Sequence, residues 1–106
     1  MRNLIRSLVV LTAAICVTGA MSFAASPGEA IYKANCQACH GPSGTPNPGI
    51  AKMLGVKPAS GPAMKKLTEA EMIAAVKSGK GKMKAFGGKL NDAQIKNVVV
   101  YFRTLK

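Results

Sequence analysis

The sequence predicts an all-α domain of three main helices joined by long loops. Three polar-led capping patterns each open an apolar segment of helical period, and no alternating run of strand type stands beside them. Glycine and proline punctuate the stretches between. The 106 residues allow one such domain and leave no room for a second.

The first helix opens at Ser26-Pro27-Gly28-Glu29. Ser26 is placed to cap, Pro27 takes the first helical position, and Glu29 completes a Ser-x-x-Glu capping box. Ala30, Ile31, Tyr32 and Ala34 carry it into Cys36. Residues 41–62 read as loop, with Gly41-Pro42, Gly44, Pro46, Pro48-Gly49, Gly55, Pro58 and Gly61-Pro62, and Ile50 to Leu54 forms one short helical turn within it. A segment this long is uncommon in a compact domain unless it wraps something. Ile50, Met53, Leu54 and Val56 argue against a merely mobile surface loop. Thr68-Glu69-Ala70-Glu71 is a second capping box, launching a helix over 69–78 with Leu67, Met72, Ile73 and Val76 apolar and Lys77 and Gly79 at its end. A glycine- and lysine-rich loop follows over 79–88. Asn91-Asp92-Ala93-Gln94 then caps a last helix to the C-terminus, where Ile95, Val98, Val99 and Phe102 recur at the spacing of a buried stripe.

Residues 1–24 read as a cleaved secretory signal peptide, leaving 25–106 as the working domain. Arg2 and Arg6 form a positive start, Leu8 to Val17 is apolar except for Thr12, and Ser22-Phe23-Ala24 offers small residues for cleavage. The apolar run falls short of the ~20 residues of a membrane span. Cys16 leaves with the leader, so Cys36 and Cys39 are the remaining cysteines and no pair is left over for a structural disulfide. Without the two leader arginines the 15 basic side chains fall to 13 against 4 acidic ones, a net charge of +9. Export, and the lack of an aromatic-interleaved basic stretch, argue against nucleic acid as the partner. Anionic lipid headgroups or acidic protein surfaces fit better.

Cys36-Gln37-Ala38-Cys39-His40 carries the chemistry. Two thiols three residues apart can each add to one vinyl group of the same porphyrin, and the following histidine then lies under the iron as proximal ligand, the arrangement of covalent haem c. A thioredoxin-like reading of Cys-x-x-Cys expects a βαβ unit, which is lacking. A zinc site needs four ligands, and only Cys36, Cys39 and His40 are at hand. His40 is the only histidine, so paired-histidine ligation is excluded. The sixth position falls to Met53, Met64, Met72, Met83 or nothing. Met72 sits in a helix as core filling, Met53 is expected to pack on the histidine side, and Met64 follows Pro62 in an irregular stretch. Met83 lies in a loop that can cross to the other face of the ring. Met83 is the leading choice, with Met64 and an open site as alternatives.

With these features the mature region resembles a monohaem class I cytochrome c. Gly28-x-x-x-Tyr32-x-x-x-Cys36 resembles the family's first helix, where glycine lets the last helix cross closely, and Val98 and Tyr101 match the last helix at that crossing. Residues 83–90, Met83-Lys84-Ala85-Phe86-Gly87-Gly88-Lys89-Leu90, resemble the methionine loop of small bacterial and photosynthetic soluble cytochromes, with Lys84 where a proline usually follows. The resemblance implies the class I cytochrome c fold, with loops wrapped around one covalent haem. It implies Cys36 and Cys39 as thioether positions, His40 and Met83 as axial ligands, and a proline carbonyl, of Pro46 or Pro48, orienting His40.

The function expected is a soluble, monomeric one-electron carrier in the periplasm rather than the thylakoid lumen, and not an enzyme. Lys77, Lys80, Lys82, Lys84 and Lys89 cluster around the ligand loop and form a docking ring for an acidic reductase and oxidase. The alternatives are a peroxidase-like or ligand-binding haem protein with an open sixth site, and a haem subunit of a larger oxidoreductase complex.

Overall fold

In the computed structural model, residues 26–106 are described; the leader expected at 1–24 lies outside them. Six helices follow in order: α1 (Pro27–Asn35), α2 (Gln37–His40), α3 (Pro48–Leu54), α4 (Pro62–Lys65), α5 (Glu69–Ser78) and α6 (Asp92–Phe102). Among the described residues there is no strand, only an isolated antiparallel bridge between Lys80 and Met83. The three long helices are α1, α5 and α6, as the periodicity predicts.

Their starts differ in how they are held. At α6 the capping box forms in full: Asn91 Oδ1 accepts from Gln94 N–H at 2.8 Å, and Gln94 Oε1 accepts from Asn91 N–H at 2.9 Å. At α5 only half forms, with Thr68 Oγ1 accepting from Glu71 N–H at 3.1 Å. At α1 the expected box is not made. Ser26 makes no side-chain bond; its carbonyl accepts from Glu29 N–H at 2.9 Å, while Glu29 turns to Lys33 at 2.9 Å. The box loses there because an i,i+4 ion pair takes the glutamate.

The segment over 41–66 holds more helix than its glycines and prolines suggest. Asn47 caps α3 by accepting from Gly49 N–H at 2.8 Å, with Pro48 in the first turn. Pro62 likewise stands in the first turn of α4, but there the N-cap is Gly61 and no side chain caps the helix. α6 ends at Phe102 in turns rather than running to the C-terminus.

The core lies where α6 meets α1 and α5. Ile95, Val98 and Val99 are the inward stripe of α6, joined by Tyr32 of α1, Met72 of α5, and Phe86 and Leu90 of the loop before α6. α1 crosses α6 at Gly28, where a Cβ would meet the Asn97 carbonyl carbon at 2.6 Å and Tyr101 Cβ at 2.8 Å. No side chain fits between these backbones, and the crossing sets where α1 delivers Cys36.

Candidate functional site

α1 and α2 present the pentapeptide across a single turn residue, Cys36, which ends the first helix and begins the second. Cys36 N–H donates to Tyr32 O at 2.8 Å, His40 N–H to Cys36 O at 2.9 Å, and Gly41 N–H to Gln37 O at 2.8 Å. Cys36 and Cys39 are therefore helical neighbours at i and i+3, on one side of the turn. Both are free thiols, Cys36 half-buried and Cys39 exposed. Burial, with the neighbouring Cys39 thiol adding to it, pushes the Cys36 thiol up to about 11. It is a neutral thiol at pH 7.

His40 ends α2 with its ring 5.3 Å from the ring of Phe102, edge to face at 75°. Burial holds the imidazole below its ordinary value. It is neutral at pH 7 and keeps a lone pair for a metal. Its Nδ1 is buried and has no hydrogen-bond partner among the described residues. Eight residues back, Tyr32 stacks at a tilt with Tyr101 (5.4 Å) and Phe102 (6.2 Å), and its hydroxyl donates to Gly41 O at 2.5 Å. This bond fixes the residue next to His40. Neither Phe102 as the histidine's neighbour nor the Tyr32–Gly41 bond is signalled in the sequence beyond an apolar stripe and an aromatic position.

Met83 sits between α5 and α6, half-buried against the cluster of Phe86, Leu90 and Ile95. α6 thus forms a shared wall, with Ile95 meeting the methionine side and Phe102 the histidine side. These two residues are seven positions apart, or about 10 Å along a helix. The other methionines are placed differently. Met72 is buried as core, as expected, and Met64 lies half-buried in α4. Met53, expected to pack on the histidine side, is 64% exposed, because α3 turns it outward. Pro46 is buried and outside any helix, whereas Pro48 is exposed in the first turn of α3.

The residues fit a covalent haem. Two free thiols stand at helical spacing, a neutral histidine carries an unpartnered buried nitrogen beside them, and a thioether lies against the same wall. No cluster of three or more His, Cys, Asp or Glu suited to a bare metal ion occurs among the described residues. The helices and this donor set define a small haem-binding domain of the electron-transfer type.

Comparison with known proteins agrees. The family model for cytochrome c oxidase, cbb3-type, subunit III matches residues 23–102. The cytochrome c6 of Leptolyngbya boryana is 42% identical over 77 residues, covering 73% of this chain and 87% of that protein. The cytochrome c6 of a Picosynechococcus species is 35% identical over 112 residues, covering 95% and 92%. Among solved structures, the KustC0563 c-type cytochrome superposes with a TM-score of 0.67 at 26% identity, covering 74% of this chain and 96% of that one. The chain belongs to the c-type cytochrome family, as a small monohaem class I cytochrome whose cofactor is covalently bound haem c.

Proposed function

We propose that this protein is an exported one-electron carrier with a closed His/Met iron site. Cys36 and Cys39 would hold the haem as thioethers, His40 would be the proximal ligand and Met83 the distal one. Bound haem supplies the ferric/ferrous couple; the chain's own task is to hold its ligands still through both states. The observation that carries the reading is the common wall of α6, against which both the neutral, unpartnered imidazole and the Met83 segment are packed. Pro46, buried and non-helical, is the better placed of the two prolines to accept from His40 Nδ1–H.

Residues 1–24 would be removed on export to the periplasm, leaving 25–106. Among the described residues no helix is long and apolar enough to cross a membrane. The basic ring would dock acidic redox partners, although three of its lysines have internal contacts. Lys77 lies 3.2 Å from Asp92, Lys82 donates to Met53 O, and Lys84 stands 5.8 Å over the Phe86 ring. A place as haem subunit of a larger complex draws on the description of the matched family model. The cytochrome c6 relatives, covered over most of their length, favour the free carrier.

The test is the reduced protein under carbon monoxide. The wild type should keep its spectrum, and Met83→Ala should bind the gas and lose the sulfur-to-iron charge-transfer absorption in the ferric form. Ready binding by the wild type would replace the carrier reading with an open-site haem protein.

A further inference from the structure

The loop carrying Met83 is built on a tight two-residue hairpin. Lys80 N–H donates to Met83 O and Met83 N–H to Lys80 O, both at 3.0 Å, leaving Gly81 and Lys82 as the central pair. Gly81 has φ of +59°, and Lys82 has no positive φ. A positive φ at the first central position alone is the mark of a type II′ turn, where glycine is favoured. The two bonds that hold the Met83 backbone therefore also fix the base of the Lys82 side chain.

The return leg is stitched to the end of α5. Phe86 N–H donates to Val76 O at 2.8 Å and Gly87 N–H to Lys77 O at 3.0 Å. The tip has one tie of its own: Lys82 Nζ donates to Met53 O at 2.8 Å, 29 residues away in the chain. Among the described residues it is the only hydrogen bond between residues 79–90 and residues 41–66. Met53 O lies in the last turn of α3, where carbonyls lack amide partners and the helix end carries partial negative charge. An ammonium group answers both needs. Residues 79–90 contain Gly79, Gly81, Gly87 and Gly88 and no proline, so such ties, not backbone stiffness, must hold the loop.

We propose that Lys82 is a positioning residue that latches the Met83 loop to the C-terminal turn of α3, joining residues 79–90 to the segment over 41–66 that follows His40 in the chain. Its ammonium thus serves a contact within the chain, at the surface, before any partner. The proposal rests on Met83 as the distal ligand, since its consequence is how often that thioether leaves the iron. A weaker latch raises the fraction of open sites, and an external ligand then binds with an affinity raised in proportion.

The experiment uses haem-loaded protein and imidazole as the competing ligand of the ferric form, with amide hydrogen exchange at Lys80 and Met83 followed in parallel. Lys82→Ala should bind imidazole about fivefold more tightly and exchange the Met83 amide about fivefold faster, the factor one net hydrogen bond supplies. Lys82→Arg, which keeps a donor and the charge, should stay within about twofold of wild type. Lys80→Ala removes the same charge from the same loop and should change neither reading. Wild-type behaviour of Lys82→Ala, or an equal shift in Lys80→Ala, overturns the latch. A charge-transfer absorption that survives Met83→Ala would instead overturn the ligand reading, and the Met83 amide exchange then decides the latch alone.

Discussion

Tyr32 is only 1% exposed and still carries a hydroxyl, which is tolerable because that hydroxyl donates to Gly41 O at 2.5 Å. Tyr32→Phe keeps the ring contacts to Tyr101 and Phe102 and removes the bond, so chemical denaturation should show a loss of about 1 kcal/mol. The same site sets a pH dependence. Burial, helped by the nearby Cys36 and Tyr101, pushes the Tyr32 hydroxyl up from 10.0 to about 12. The folded state therefore retains a proton that the unfolded chain releases first. The stability this group contributes is complete below pH 10 and is lost as pH rises from 10 towards 12. The difference between wild-type and Tyr32→Phe denaturation midpoints should shrink over that window, and a constant difference would show that the hydroxyl titrates normally. The candidate positions Cys36, Cys39, His40 and Met83 can be picked out in sequence because each signal is local, a five-residue spacing or a lone methionine in a glycine-rich loop. The Tyr32–Gly41 and Lys82–Met53 bonds are not, because their partners meet only through the path of the folded chain.

Among the elements, the crossing of α1 and α6 decides whether the pentapeptide reaches its place. Gly28→Ala would put a methyl group into the Asn97 carbonyl and against Tyr101 Cβ, both backbone-anchored, so the helices must separate. Overpacking of this kind costs about 3 kcal/mol and should appear as a lower thermal midpoint with haem still attached. At the other end of the scale, Gln94→Ala removes half of the capping box of α6 and should cost about 1 kcal/mol in the same measurement. The three long helices were readable because period and caps agreed. α3 and α4 were harder, since Asn47-Pro48 and Gly61-Pro62 serve equally as turns and as helix starts. Ser26 shows the reverse: its capping pattern is present, but Glu29 spends its carboxylate on Lys33.

Taken whole, the domain is built around a small core. Eight hydrophobic side chains are buried among the described residues, several of them on α6 and its preceding loop. The segment over 41–66 contributes only Ala59 to that set, and Ile50, Leu54 and Val56 remain partly exposed. Domains of this size commonly need a staple to supplement their packing. Covalent haem would be that staple, offering those apolar side chains a surface and His40 a ligand role. The core of α1, α5 and α6 is visible as sequence periodicity, whereas the segment over 41–66 would take its path from a cofactor surface, and its glycines and prolines signal only that it wraps something. Cys36→Ser with Cys39→Ser, expressed with the haem-attachment machinery, should therefore yield protein that lacks a cooperative thermal transition and gives a weak near-ultraviolet circular dichroism signal. Helical signal should persist in part, because the caps of α5 and α6 are local. A cooperative melt within a few degrees of the haem-loaded protein would show that the helical core suffices, and that the segment over 41–66 folds on its own contacts.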